Sequence, residues 1–195
     1  LWVPLILMLI YMRIDRLFIE HYVGYEQLAM YGVASQMLEQ GVLVLGIVVQ
    51  SIAPMMLYGR RVKKIHTVCL GVLLVACILQ LMGWLWLDDI VYIIFGKNYE
   101  LAAELAIMML PALSFFAVDS VFMQRLYRDK KYLLLMCKWL LLSIMSAFNY
   151  WLLLKVFRSG DIYIVYIINA LLMMITTMSI YFIHQSKDRF CKVMQ

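Results

Sequence analysis

A chain of 195 residues that is 66% hydrophobic and only 15% charged has too little polar surface to cover a domain in water, which excludes a soluble globular protein. Its formal net charge of +5 sits at the borders of apolar runs, in alternate loops, and reads as a topology signal with no nucleic-acid partner.

A bilayer core about 30 Å thick takes roughly 20 apolar residues per helix, and the chain offers such runs repeatedly. They are continuous and lack the two-residue alternation of an outer-membrane barrel, so the fold class is all-α, a polytopic membrane protein. Spans are expected at about 1–20, 27–57, 67–87, 101–126, 132–154 and 162–183, which makes six transmembrane helices. Residues 1–184 then form one six-helix unit and 185–195 a cytoplasmic tail. The chain opens at Leu1 within an apolar run, with no initiator Met or signal-peptide charge cluster, so we expect a fragment whose upstream part is missing.

The first span, "LWVPLILMLIYMRIDRLFIEHY", carries Arg13, Asp15, Arg16 and Glu20. Each charge at the bilayer centre costs about 2.5 to 3.5 kcal/mol on insertion scales, so they require water or a partner. At about 100° per residue Arg13, Arg16 and Glu20 share a stripe roughly 60° wide, while Asp15 points about 100° away from Arg16. A bland arrangement is an Arg16–Glu20 ion pair one turn apart, with Arg13 snorkelling to a headgroup. In the second span Gly32, Gln36, Glu39, Gln40, Gln50 and Pro54 fall within about 80° of one line, a polar seam on an otherwise apolar helix. Glu39 is a carboxylate that could couple proton or sodium movement to transport.

After the third span, "DDIVYIIFGKNYE" is too short to cross and is expected as an interfacial loop turning at Gly96-Lys97-Asn98. Asp88-Asp89 there reads as a helix stop and not as a catalytic or metal-binding pair, so an enzyme is not expected. Asp119 and Lys138 each lie about nine residues from the centre of the "YRDKK" turn, hence at about equal depth on antiparallel helices, and are expected to form a structural ion pair. Cys69, Cys77, Cys137 and Cys191 show no CxxC spacing, and His21, His66 and His184 stand singly, so no metal or other cofactor is implied.

Basic residues gather in the connection "YGRRVKKIH" (Arg60, Arg61, Lys63, Lys64), in "RDKK" (Arg128, Lys130, Lys131) and in the tail (Lys187, Arg189, Lys192). The opposite connections hold only Lys97, Lys155 and Arg158. The positive-inside rule therefore places the C-terminus and residue 1 on the cytoplasmic side.

The stretch "YMRIDRLFIEHYVGYEQLAMYGVASQM" resembles the opening of the C-terminal half of polysaccharide-repeat flippases, through Ile14, Asp15, Ile19, Tyr31 and Ala34, with the family's glycine shifted to Gly32. Phe95, Gly96 and Tyr99 are similar to that family's L-F-G-x-x-Y loop, and Asn149 falls where it often has an asparagine. After Asn149 the family's small-residue turn is replaced by "RSGDIYIVYI". The resemblance implies one lobe of the two-lobe multidrug/oligosaccharidyl-lipid/polysaccharide exporter fold, in the bacterial cytoplasmic (inner) membrane. It would flip lipid-linked oligosaccharide repeat units for O-antigen or capsule synthesis, rocking against the missing N-terminal lobe by alternating access. Arg13 and Arg16 would hold the carrier's diphosphate, because guanidinium binds phosphate oxygens in pairs, with Glu20 limiting the field and Gln36, Glu39 and Gln40 completing the substrate wall. A multidrug efflux antiporter of the same superfamily, and a membrane-embedded glycosyl- or acyltransferase, are the alternatives. Cysteines introduced at Lys63 and Lys130 should react with an impermeant thiol reagent only from the cytoplasmic side, and one at Lys97 only from outside; labelling of the Lys97 position from the cytoplasm would overturn this topology.

Overall fold

The computed structural model describes residues 2–58, 65–128, 132–156 and 161–193, all of them helix or the turns between helices. The elements are α1 (Trp2–Tyr22), α2 (Tyr25–Tyr58), α3 (Ile65–Phe95), a 3-10 turn (Lys97–Tyr99), α4 (Glu100–Met109), α5 (Ala112–Arg128), α6 (Tyr132–Tyr150) with a π-helical extension (Trp151–Val156), and α7 (Ile162–Val193). The basic-loop residues Arg60, Arg61, Lys63, Lys64, Lys130 and Lys131, and Arg158, lie outside the described residues.

Among the described residues four segments are long and apolar enough to cross a membrane: Tyr25–Ile52, Ile65–Phe95, Tyr132–Lys155 and Ile162–Ile183. A fifth span exists if Lys97–Met109 and Ala112–Gln124, which meet at 51°, are counted as one. Of the six spans expected, the described residues thus show four or five that are apolar enough. Helix α1 is long enough at 21 residues, but Arg13, Asp15, Arg16 and Glu20 take it out of that set. The apolar character faces outward as well as inward: α3 exposes Leu70, Leu74, Ile78, Leu81, Trp84 and Leu85, a face suited to lipid and costly in water.

Two expectations are corrected. The stretch from Asp88 to Phe95 is not a loop, because nothing in it stops a helix before Gly96, whose φ of +84° is the first backbone state that favours glycine. Nor is 101–126 one straight span. Pro111 supplies no N–H for the helical ladder, and the chain passes it on 3-10-type bonds: Leu110 N to Ile107 O at 3.2 Å, Leu113 N to Leu110 O at 2.9 Å, and Ser114 N to Pro111 O at 3.2 Å.

The link between α1 and α2 is only Val23 and Gly24. Val23 N (2.9 Å) and Gly24 N (3.1 Å) both bond to Ile19 O, and Gly24 takes φ +106°, a state in which any other L-residue would be strained. Gly24 O then accepts from Leu28 N (3.1 Å), the first bond of α2. So short a turn returns the chain antiparallel at once, which makes residues equidistant from it lie at equal depth.

Helix α1 packs mainly along α6, α5 along α7, and both α2 and α3 against the α4–α5 pair. The larger core joins Tyr31, Leu38, Leu45 and Val49 of α2 to Val72 and Ala76 of α3, Ala106 and Met109 of α4, and Leu113 and Ala117 of α5. A smaller one, with Leu126, Leu135, Trp139, Leu142 and Met173, closes the α5–α6–α7 end. At the Pro111 bend two leucines press into glycine notches. A Cβ on Gly83 would lie 2.9 Å from Leu110 Cδ2, and one on Gly41 would lie 3.1 Å from Leu113 Cδ2. Alanine there needs only a leucine tip to move. Leucine at either site overfills the notch, so Gly83→Leu and Gly41→Leu should each cost about 1 to 3 kcal/mol, read as a lowered thermal midpoint in detergent, while Gly71→Leu, with nothing within 4 Å, should leave it unchanged.

Candidate functional site

Glu39 stands at the middle of the Tyr25–Ile52 segment, the depth at which an unpartnered carboxylate is most costly. Arg13 meets it with two prongs, Nη1 to Oε1 at 3.0 Å and Nη2 to Oε2 at 3.3 Å. Arg16 Nη2 lies 3.6 Å from the same Oε1. Counted from the Gly24 turn, Glu39 is deeper than either arginine by several residues. The gap closes because side chains tilt toward the N-terminus of their own helix, so the arginines of α1 lean away from the turn while Glu39 leans back toward it.

Two guanidiniums thus share one carboxylate, leaving one net positive charge. The side chains of Arg13 and Arg16 are 49% and 38% exposed and that of Glu39 is 26% exposed, so the cations form the open front and the carboxylate stands behind them. Gln36 and Gln40, one turn apart on α2, are exposed beside it. Arg16 Nε is buried with no hydrogen-bond partner among the described residues. Of the six residues expected to face substrate, five therefore gather on the α1–α2 face. Glu20 does not join them: its carboxylate accepts from the Tyr25 hydroxyl across the turn, and the anion of the arginine pair is Glu39.

Directly behind this cluster lies a polar interior. Asp15, buried, accepts from the Tyr31 hydroxyl at 2.5 Å and from the Arg16 backbone N–H at 2.8 Å. Asp15 and Tyr31 are equidistant from the centre of the Gly24 turn to within one residue, which is why they meet at the same level. Tyr150 of α6 brings its hydroxyl to 3.4 Å from that of Tyr31, and the Tyr166 ring stands edge-on to Tyr31. Asn149 Nδ2 donates to Asn169 Oδ1 (2.9 Å), and Tyr11 donates to the Asn169 carbonyl (3.1 Å). A cavity of about 40 Å³, room for water but not for a sugar, is bordered by Asp15, Ser35, Glu39, Tyr150, Tyr166 and Asn169. Asn169 Nδ2 is buried there without a hydrogen-bond partner among the described residues.

Helical periodicity points Asp15 away from the charged stripe of Arg13, Arg16 and Glu20. That direction is what buries it. The arithmetic of equal depth about Gly24 was the signal that could have paired it with Tyr31. Tyr150, Tyr166 and Asn169 come from α6 and α7, and no spacing announces them.

The second charged set is fully internal. Lys138 Nζ lies 2.8 Å from Asp119 Oδ1, with side-chain exposures of 0% and 9%. Thr177 donates to the same oxygen from α7, Met123 Sδ is 3.1 Å from the ammonium, and the Trp139 ring is 4.4 Å away. This pair ties α5, α6 and α7 together in the interior. Asp88 and Asp89 border a surface cleft of about 340 Å³ with Lys97, Glu100 and Glu104, larger than the interior cavity but lined by mutually repelling carboxylates. Among the described residues no three His, Cys, Asp or Glu side chains gather as metal ligands do.

No family model matches the sequence, and neither curated proteins nor solved structures give a match.

Breaking a buried ion pair from one side strands the other charge, so Asp119→Asn or Lys138→Met alone should cost about 3 to 5 kcal/mol of stability. The combination Asp119→Leu with Lys138→Met should recover most of it. Thermal unfolding in detergent reads both; singles as stable as the parent would show that the pair carries no structural load.

Proposed function

We propose that this chain is one lobe of a two-lobe exporter that flips lipid-linked oligosaccharide repeat units across the bacterial cytoplasmic membrane, for surface-polysaccharide assembly. The observation that carries the reading is the pair Arg13 and Arg16 on an open polar face, converging on one carboxylate at the middle of an apolar segment with a positive charge in excess. An anion that must cross an apolar layer needs cationic, hydrated stepping points at that depth. Two guanidiniums suit a diphosphate because each offers paired N–H groups to tetrahedral oxygens. Gln36 and Gln40, exposed beside the cluster, offer amide donors and acceptors to sugar hydroxyls. The buried Asp15–Tyr31–Tyr150 group holds the back of the cluster in place. In this reading a second lobe faces the α1–α2 surface across a water-filled cavity, and the two rock between openings on either side. The order of motifs that resembles polysaccharide-repeat flippases points the same way.

The test is complementation of surface-polysaccharide export by the full-length protein, with membrane abundance measured alongside. Arg16→Lys keeps the charge but loses a charge-assisted hydrogen bond, so export should fall about fivefold. Arg13→Ala with Arg16→Ala should abolish export at unchanged abundance, because Glu39 is left partly hydrated. Full export from the double variant at normal abundance would sink the proposal, and export of a hydrophobic cation in place of the glycan would assign the chain to drug efflux.

A further inference from the structure

The carboxylate between the arginines occupies the donors that an anionic ligand would need. Arg13 presents both Nη1 and Nη2 to Glu39, at 3.0 and 3.3 Å, in the two-pronged geometry that guanidinium also uses for phosphate. Arg16 Nη2 is drawn to the same oxygen at 3.6 Å. A phosphate cannot take those N–H groups while Glu39 holds them, and two anions side by side repel. The guanidiniums are nevertheless the exposed part of the cluster, so a ligand reaches them first and Glu39 is the group that must yield.

There is a place for it to go. Glu39 borders the cavity of about 40 Å³ behind the cluster, which is large enough for a carboxylate's oxygens and too small for any sugar. On the wall of that cavity Asn169 is only 6% exposed, and its Nδ2 has no hydrogen-bond partner among the described residues. A buried donor left unsatisfied is costly, and a carboxylate arriving beside it would remove that cost. The other half of the Asn169 amide is already engaged, since its Oδ1 accepts from Asn149. Asp15 borders the same cavity, with one oxygen taken by Tyr31 and the other by the Arg16 backbone. Its like charge opposes the arrival of Glu39. In the absence of a ligand the carboxylate is therefore held forward on the arginines.

Resting on the reading of Arg13 and Arg16 as an anion site, we propose that Glu39 is a resident competitor for that site, displaced by the ligand's phosphate oxygens and received by Asn169 Nδ2 in the cavity behind. The exchange makes binding self-limiting. Glu39 returns to the arginines as the ligand leaves, so the cations never stand bare in an apolar layer and the anion is not held too tightly to be released. It also carries the event inward, because Glu39 in its second position presses on the Asp15–Tyr31–Tyr150 group that joins α1, α2 and α6.

The experiment is calorimetric titration of the purified full-length protein with inorganic pyrophosphate, in the parent and in Glu39→Gln, Asn169→Leu, the Glu39→Gln with Asn169→Leu double variant, and Arg13→Ala with Arg16→Ala. Pyrophosphate should bind the parent, bind Glu39→Gln about fivefold more tightly because a half-exposed ion pair no longer has to open, and fail to bind the arginine variant. Asn169→Leu should weaken binding about fivefold when Glu39 is present and leave it unchanged in the Glu39→Gln background. Any packing cost of losing the Asn149 contact is common to both backgrounds and cancels in that comparison. Equal affinity in the parent and Glu39→Gln, with binding still lost in the arginine variant, overturns the exchange while leaving the anion site intact. An Asn169→Leu effect of the same size in both backgrounds overturns the receiving role of Asn169. No binding by either the parent or Glu39→Gln overturns the anion site, and the exchange with it.

Discussion

The turn at Val23-Gly24 sets the depth at which everything on α1 meets everything on α2. With two residues between the helices there is little slack to slide one against the other, and Gly24 supplies the +106° φ that the reversal requires. Asp15 and Tyr31 meet because they are level about that turn. Arg13 and Arg16 meet Glu39 because side chains on antiparallel helices lean in opposite senses, which lets long side chains bridge a vertical offset that backbones could not. A longer linker would let each charge find some other partner, and the cluster would have no fixed level in the bilayer.

Polar groups in an apolar layer are tolerated under two different arrangements, and this chain uses both. Asp119 and Lys138 are enclosed, and each has partners beyond the other: Thr177 on the carboxylate, Met123 and the Trp139 ring about the ammonium. Such a pair joins helices and has nothing left to offer a ligand. Arg13, Arg16 and Glu39 are the opposite case, half-open and unequal in charge, with Arg16 Nε left without a hydrogen-bond partner among the described residues. The contrast in exposure and in charge balance separates a structural clamp from the candidate site.

The Pro111 bend belongs to the same economy of space. Where the helical ladder breaks, Leu110 and Leu113 are thrown toward α3 and α2, and Gly83 and Gly41 stand opposite to receive them. The bend thereby seats α4 and α5 on both neighbours at once, and Phe116 of α5 meets the Tyr166 ring of α7 beside the polar interior. Straightening it would withdraw one helix from that contact, so the kink is a packing requirement.

Composition and the length of the apolar runs determined the all-helical class and most helix positions, because a backbone in lipid has no other way to satisfy its hydrogen bonds with runs of this kind. The level of Asp119 with Lys138 was equally legible, since both helices rise by the same amount per residue from a common turn. What one dimension could not hold was the choice among partners within reach. Glu20 sits on the same stripe as Arg16, one helical turn away, yet it turns to Tyr25 while Glu39 crosses from α2 to take both arginines. Helical periodicity gives directions on a single helix and is silent on which neighbour stands there. Tyr150, Tyr166 and Asn169 were invisible for the same reason: α6 and α7 reach the site only through the packing of α1 on α6 and of α5 on α7, which depends on shape across the whole bundle.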